Sequence, residues 1–318
     1  MAEDELPVVV VTEGSDVGPL NWLKERARVI ETGATDADFG AAIAEARGLV
    51  VRTYTKVNEA LLTAAPRLRV VGRGGVGLEN IDVAACRRRG IEVVYTPDAN
   101  THAVGDFVFG YIAQLLRPWC FFRETVYSPA EFKRLRDTVR GRQFDELSIG
   151  ILGMGRVGRR VGRIAANGYG MRVIYNDLLD VRSQISFPAK AVGKSDLYRG
   201  CDILTIHVDG RPENHGLVNG EAIAQMKPDA ILINTSRGEV LDAAALAIAI
   251  RQKKLAGAAI DVFSPEPPGP DSPLLGLDNV LLTPHLAART TTALQNMSWV
   301  VRDVMSVING QPAGYPAP

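Results

Sequence analysis

Three polar residues stand where apolar, β-branched runs give way to loops: Arg237 in ILINTSRGEV, Glu266 in AAIDVFSPEP and His285 in VLLTPHL. Such runs read as buried parallel strands, and open α/β sheets bind ligands beyond the carboxyl ends of their strands. The three residue types complement one another. A guanidinium grips a carboxylate in a two-pronged fork, and an imidazole gives or takes a proton near neutral pH. A carboxylate beside that imidazole fixes its tautomer and stabilises its cationic form. The set suits exchange of a hydride and a proton at a 2-hydroxy acid, with Arg237 on the carboxylate and His285 at the C2 oxygen. Each residue also has a plain structural role open to it: a histidine capping the next helix, a surface arginine, a solvated acid between prolines. The chemical reading rests on their joint occurrence and on a nucleotide-binding pattern upstream.

That pattern is the strand LSIGIL running into Gly153-Met154-Gly155-Arg156-Val157-Gly158 and on into a helical stretch through Ala166. The first glycine allows the tight turn, the second lets the backbone approach a pyrophosphate, and the third lets helix pack on strand. The helix N-terminus then presents free N–H groups and the positive end of its dipole to the phosphates. A second strand, RVIYND, ends in Asp177, 24 residues after Gly153. An acid there accepts hydrogen bonds from the adenosine ribose and repels a 2′-phosphate, which favours NAD over NADP. Arg182, five residues on, reads as a solvated loop arginine.

The elements that must carry these residues fall into two series. VVVVT (8–12), GLVVRT (48–53), LRVVGR (68–73) and IEVVYT (91–96) alternate with amphipathic segments such as Val57–Ala65 and Asn80–Arg89. That rhythm predicts a parallel, flavodoxin-like α/β unit. Near Asn100–Thr101 it gives way to one long apolar helix from His102 to Arg117, which Pro118 ends. LSIGIL, RVIYND, DILTIHV, AILINTS, GAAIDVF and NVLLTP then describe a doubly wound, parallel-sheet Rossmann domain, closed by a helical segment over 290–309. The Pro/Gly-rich stretch 264–273 reads as a stiff loop that fixes Glu266. In the first series, VGRGGVGLENID (71–82) joins strand to helix, and the N–H groups of Gly74 and Gly75 could cradle a carboxylate.

Composition narrows the function classes. The 318 residues are 46% apolar, and 36 Lys plus Arg balance 36 Asp plus Glu, so no global basic field draws nucleic acid. The run Arg87–Arg89 reads as cations in a last helical turn. Cys86, Cys120 and Cys201 are isolated and lack metal-ligand or CxxC spacing, so no metal site and a reducing compartment are expected. No secretory signal and no membrane-spanning run is visible; the longest apolar stretch, Ala243–Ile250, is far too short. A soluble, cytoplasmic protein is expected.

The order and flanking text of the Arg237, Glu266 and His285 segments, behind the glycine-rich loop, resemble the D-isomer-specific 2-hydroxyacid dehydrogenases over nearly the whole chain. The resemblance implies that these three are the catalytic set of an NAD-dependent enzyme. It sets Arg156 and Val157 against the pyrophosphate, Asp261 at the nicotinamide carboxamide, and Thr235 and Ser236 along the same crevice. It makes Gly75 and Val76, beside Gly74, the substrate-carboxylate loop. It also implies a discontinuous substrate domain (1–99 and 286–318) around an NAD domain (100–285), and a homodimer through the 102–117 helix and Trp119, Phe121 and Phe122. His207 would pack near the cofactor.

Residues 50–82 are especially similar to 3-phosphoglycerate dehydrogenases, where Arg52 and Arg73 could meet a phosphate. Glyoxylate and hydroxypyruvate reductases share most of that text, and NAD(H)-sensing corepressors share the three polar residues. Formate dehydrogenases carry glutamine at the Glu266 position. Departures from the family pattern are Gly105-Asp106, Leu286-Ala287-Ala288-Arg289 after the histidine, and RGRQFDELSIG before the nucleotide strand. With the chain ending at Pro318, serine feedback through an added regulatory domain is not expected.

Overall fold

The computed structural model describes residues 6–117, 128–138 and 140–318. Trp119, Phe121 and Phe122 lie outside the described residues. The chain divides into two compact units, one of residues 1–100 with 288–318 and the other of residues 101–287.

The first unit is a five-stranded parallel sheet of β1 (Val8–Val11), β2 (Arg28–Glu31), β3 (Gly48–Val51), β4 (Val70–Arg73) and β5 (Glu92–Tyr95), ordered β2-β1-β3-β4-β5. That is the flavodoxin-like order, whose switch point lies between β1 and β3. The continuous Val/Leu runs follow from burial on both faces: alternate residues enter separate cores. Val9, Val11, Val50, Val70 and Val94 pack with Val300, Val301, Val304 and Met305. Val10, Leu49, Val51, Val71 and Val93 pack with Ile43, Leu62 and Ala85 on the other face. Helices α1 (Val17–Lys24), α2 (Phe39–Glu45), α3 (Glu59–Ala64) and α4 (Val83–Arg88) lie between strands. Side-chain caps start several of them, as Asn58 accepting from Leu61 N–H at 3.1 Å and Asp82 from Ala85 N–H at 2.8 Å.

The second unit opens with α5 (Thr101–Leu116) and, after α6 (Pro129–Thr138), builds a seven-stranded parallel sheet. Its strands are β6 (Ser148–Leu152), β7 (Arg172–Asn176), β8 (Lys190–Ala191), β9 (Ile203–Ile206), β10 (Ala230–Asn234), β11 (Leu255–Ile260) and β12 (Val280–Leu282). The order β12-β11-β10-β9-β6-β7-β8 is the doubly wound Rossmann order with one further edge strand. Helices α5 and α7 (Arg156–Arg163) cover one face over Ile149, Ile151, Ile203 and Ile233. Helices α8 (Lys194–Gly200), α9 (Gly220–Gln225) and α10 (Ala243–Arg251) cover the other over Leu152, Leu204, Leu232 and Ile260.

The mixed α/β class and both sheets agree with expectation, with two differences of detail. Strands β2 and β8 complete the sheets without any apolar run in the sequence. The segment 290–309 is two helices, α11 (Thr291–Ser298) and α12 (Val301–Ile308), because the chain tightens at Trp299 and Val300 and the ladder restarts. Both belong to the first unit.

Candidate active site

The second unit gathers Arg237, Glu266 and His285 at the carboxyl ends of β10, β11 and β12. After β10, the fully buried Asn234 amide ties the turn. Its Oδ1 accepts from Ser236 N–H at 3.0 Å and from the Ser236 hydroxyl at 2.9 Å, and its Nδ2 donates to Arg237 O at 2.9 Å. Arg237 donates from Nη1 to Ser236 O at 2.7 Å. The next residue must be glycine, since a Cβ on Gly238 would lie 2.0 Å from the Phe263 carbonyl carbon. That close approach presses the β10 loop onto the β11 loop that carries Glu266.

Glu266 Oε1 accepts from His285 Nδ1 at 2.8 Å, and its Oε2 takes the Phe263 N–H at 3.4 Å. A carboxylate only accepts, so Nδ1 carries the hydrogen and Nε2 is left for other partners. Burial pushes the Glu266 carboxyl up. The hydrogen bond and charge of His285, the Phe263 N–H and the charge of Arg237 outweigh it and hold the group below the usual range. The side chains are 38% exposed for His285 and 29% for Glu266, so the pair is sheltered yet open to a small molecule.

His285 has φ of +54°, a left-handed conformation that L residues seldom adopt. Its N–H donates to Asp261 O at 2.8 Å and to Thr283 O at 3.0 Å. The fully buried Asp261 carboxylate anchors the following turn: Oδ1 accepts from Leu286 N–H at 2.7 Å and from the Thr283 hydroxyl, and Oδ2 from Ala287 N–H at 2.9 Å. Burial raises its carboxyl pKa despite these donors.

The glycine-rich loop lies between β6 and α7, at the switch point of the sheet. Gly153 has φ of +94°, and a Cβ there would sit 2.8 Å from the His207 carbonyl carbon. Asp177, just past β7, accepts from Met154 N–H at 2.7 Å and Leu179 N–H at 2.8 Å, which joins the acid to the loop. Three observations fit a dinucleotide. Gly155 caps α7 with no side-chain bond, and the space where its Cβ would stand is open, so first-turn N–H groups at Arg156, Val157 and Gly158 can meet phosphate. A hollow of about 240 Å³ beside Asp177 is bordered by Tyr175, Val192 and the exposed Leu178 and Leu179, a surface for a base. The Thr235 hydroxyl is buried without a partner. Arg182 is held by Asp180, at 2.9 Å from Nε and 2.6 Å from Nη2. His207 bonds Thr205 through Nε2 at 2.9 Å, and desolvation of its ring pushes its pKa down to about 3, so it is a neutral wall.

The first unit holds Arg52, just past β3, and Gly74, Gly75 and Val76, just past β4. Glu13, which sequence reasoning passed over, organises the β1–β3 switch point. Its carboxylate accepts backbone N–H groups of Arg52 (3.2 Å), Thr53 (2.7 Å), Tyr54 (2.9 Å) and Thr55 (2.8 Å). Burial opposes its charge, and those donors nonetheless lower its pKa. Arg52 is half-buried; desolvation and the positive charge of Arg289 lower its pKa, and Glu13 partly offsets them. Arg73 turns back on its own loop, with Nη1 on Gly74 O at 2.6 Å. The position of Glu13 one residue past Thr12, at a strand end, was the available signal.

Residues 109–287 match the model of the D-isomer specific 2-hydroxyacid dehydrogenase, NAD binding domain. The chain belongs to this family. It is similar to D-3-phosphoglycerate dehydrogenases: that of Synechocystis sp. is 34% identical over 96% of this chain and 55% of the relative. That of Archaeoglobus fulgidus is 33% identical over 96% and 58%. The chain thus spans a little over half the length of these relatives. Its backbone is similar to D-lactate dehydrogenase from Aquifex aeolicus complexed with NAD and lactic acid, with a TM-score of 0.80 and 26% identity over 95% of this chain and 96% of the other. An NADPH-dependent glyoxylate/hydroxypyruvate reductase from Sinorhizobium meliloti gives a TM-score of 0.80 and 26% identity over 98% and 96%. Among the described residues no helix is long and apolar enough to cross a membrane, and no group of His, Cys, Asp or Glu could hold a metal ion.

Proposed function

We propose that the chain transfers a hydride between the nicotinamide of NAD(H) and C2 of a D-2-hydroxy acid or its 2-oxo acid. The observation that carries this is the 2.8 Å bond from His285 Nδ1 to Glu266 Oε1, with Arg237 close enough for its charge to act on Glu266. Bound NAD(H) supplies the hydride donor or acceptor. With Nδ1 committed to Glu266, His285 holds on Nε2 the proton given to the C2 oxygen in reduction and taken back in oxidation. Glu266, held ionised, stabilises the imidazolium, and Arg237 grips the substrate carboxylate and polarises the C2 carbonyl.

Gly153, Gly155, Arg156, Val157 and Gly158 would bind the pyrophosphate, and Asp177 the ribose. The orphaned Thr235 hydroxyl, with Ser236 beside it, would line the nicotinamide crevice. Asp261 Oδ2 accepts a hydrogen bond from Ala287 N–H and has a lone pair left for the carboxamide. The unit of residues 1–100 and 288–318 would be the substrate domain, with Gly74, Gly75 and Val76 cradling the substrate carboxylate and Arg52 lending positive charge. Arg52 feels Arg289, so two guanidiniums in that unit would favour an acid with a second anionic group, such as 3-phosphoglycerate. The family resemblance supports a homodimer, which light scattering checks, and the isolated cysteines support a reducing, cytoplasmic location, which fractionation checks.

The test is NADH oxidation with 3-phosphohydroxypyruvate beside hydroxypyruvate, glyoxylate and pyruvate. Turnover of at least one is expected, with the phosphorylated acid preferred in kcat/KM. Its loss is expected in His285→Gln, with NADH binding nearly intact. No turnover of any of the four, in protein that binds NADH, would refute hydride transfer and favour a sensor.

A further inference from the structure

The loop that carries His285 has little regular structure to hold it. β12 is three residues long, lies at the sheet edge and pairs only with β11. Beyond it His285 takes φ of +54°, a conformation that persists only where the surroundings over-determine it. A buried chain of polar groups supplies that constraint. The Thr283 hydroxyl has one hydrogen and donates it to Asp261 Oδ1, so in its contact with Tyr111 it accepts from the phenol. Asp261 takes the N–H groups of Leu286 and Ala287 on its carboxylate and that of His285 on its carbonyl. Tyr111 lies on α5, 172 residues from Thr283, and is buried with its ring edge-on to Phe107 at 4.8 Å. Packing therefore fixes the phenol, the phenol fixes the Thr283 rotamer, and Thr283 and Asp261 together fix the backbone on both sides of His285.

We propose that Tyr111 is a positioning residue of the catalytic site: through Thr283 and Asp261 its hydroxyl holds the His285 backbone so that Nδ1 stays on Glu266. The inference rests on the hydride-transfer reading for its kinetic consequence, and on the loop geometry alone for its structural one.

Tyr111→Phe removes a single oxygen and keeps the ring, while Thr283→Val and Thr283→Ser delete and retain the second hydroxyl. Loss of one neutral hydrogen bond is expected to lower kcat about five- to tenfold in Tyr111→Phe, and Thr283→Val, which also loses the bond to Asp261, should lower it at least as much. KM for the 2-oxo acid and the Kd of NADH should stay within about twofold, and Thr283→Ser should keep most of kcat. In 15N-histidine NMR, His285 should show one Nδ1–H tautomer in the native protein and mixed tautomers in Tyr111→Phe. Native kcat and native His285 ring shifts in both deleting variants would overturn the proposal. A lower Tm with those two readouts unchanged would also overturn it, by making the hydroxyls structural only. If the native protein reduces no 2-oxo acid, hydride transfer fails by itself, and the His285 ring shifts still decide the positioning role.

Discussion

Glu266→Gln isolates the charge of the His285 partner while keeping its size and one acceptor oxygen. The native bond spans 2.8 Å. A hydrogen bond to a charged group contributes about 1.5–3 kcal/mol. The two side chains are 38% and 29% exposed, so solvent screening brings the figure down to about 1–2 kcal/mol. That energy favours the imidazolium form, which donates in reduction and develops in oxidation. kcat/KM should therefore fall roughly five- to thirty-fold in Glu266→Gln at neutral pH. The assay is NADH oxidation with the preferred 2-oxo acid from pH 4 to pH 9, with NADH affinity followed by fluorescence. The sign of the pH effect follows from Glu266, whose folded pKa is lowered. Its contribution is complete above the unfolded carboxyl value of about 4.3 and is lost as pH falls through the depressed folded value. Native and variant profiles should stay apart across neutral pH and converge only at the acid end. Equal kcat/KM at pH 7, or convergence on the alkaline side, would show that Glu266 does not stabilise a charged imidazole.

Gly153→Ala forces a side chain onto φ of +94° and within 2.9 Å of His207 and Val208 backbone. About 1–3 kcal/mol of stability should be lost, with NADH affinity, and an unchanged urea midpoint and Kd would contradict the close-approach account. Asp180→Asn releases Arg182 from its two-pronged partner, so NADPH binding should strengthen a few-fold relative to NADH. An unchanged ratio of the two affinities would mean that Arg182 cannot reach a 2′-phosphate. Glu13→Gln leaves N–H groups at the first unit's switch point facing a donor instead of an acceptor, a loss of about 1–3 kcal/mol given its half-exposed setting. Because the Glu13 pKa is lowered, thermal unfolding should separate native from variant at pH 7 and bring them together as pH falls below about 4. A gap that does not narrow would place the effect in packing rather than charge.

Most strands, the glycine-rich loop and the placing of Arg237, Glu266 and His285 beyond strand ends were legible because each is encoded within about ten residues of chain. Val8–Val11 and Ile149–Leu152 are buried on both faces, so their apolar runs carry no ambiguity. β2 was illegible for the converse reason: RVIE is charged at both ends and only partly buried, and its place is set by pairing with β1. β8, two exposed residues against β7, leaves no signal at all. The break between α11 and α12 is hidden by an apolar pattern that continues through Met297, Val300, Val301 and Val304, all buried in the same unit.

The positioning of the site was the least legible part, and the backbone of His285 shows why. A left-handed φ is most easily met by glycine, yet glycine cannot carry a proton. Histidine at that φ is tolerable only if neighbouring groups make the alternative conformers worse, and those groups are Asp261, Thr283 and Tyr111. Asp261 is 24 residues from His285 and Tyr111 is 174 away, so no local pattern announces them. The family resemblance sets Asp261 at the nicotinamide carboxamide, while the folded chain shows most of its acceptor capacity spent on Thr283, Leu286 and Ala287. The acid at the end of β11 thus acts first on the protein: it shapes the turn that aims the imidazole. Only its remaining lone pair is available to a cofactor. Substituting Asp261 should therefore disturb kcat through His285 as well as NADH affinity, a coupled loss that a residue serving the carboxamide alone would not produce.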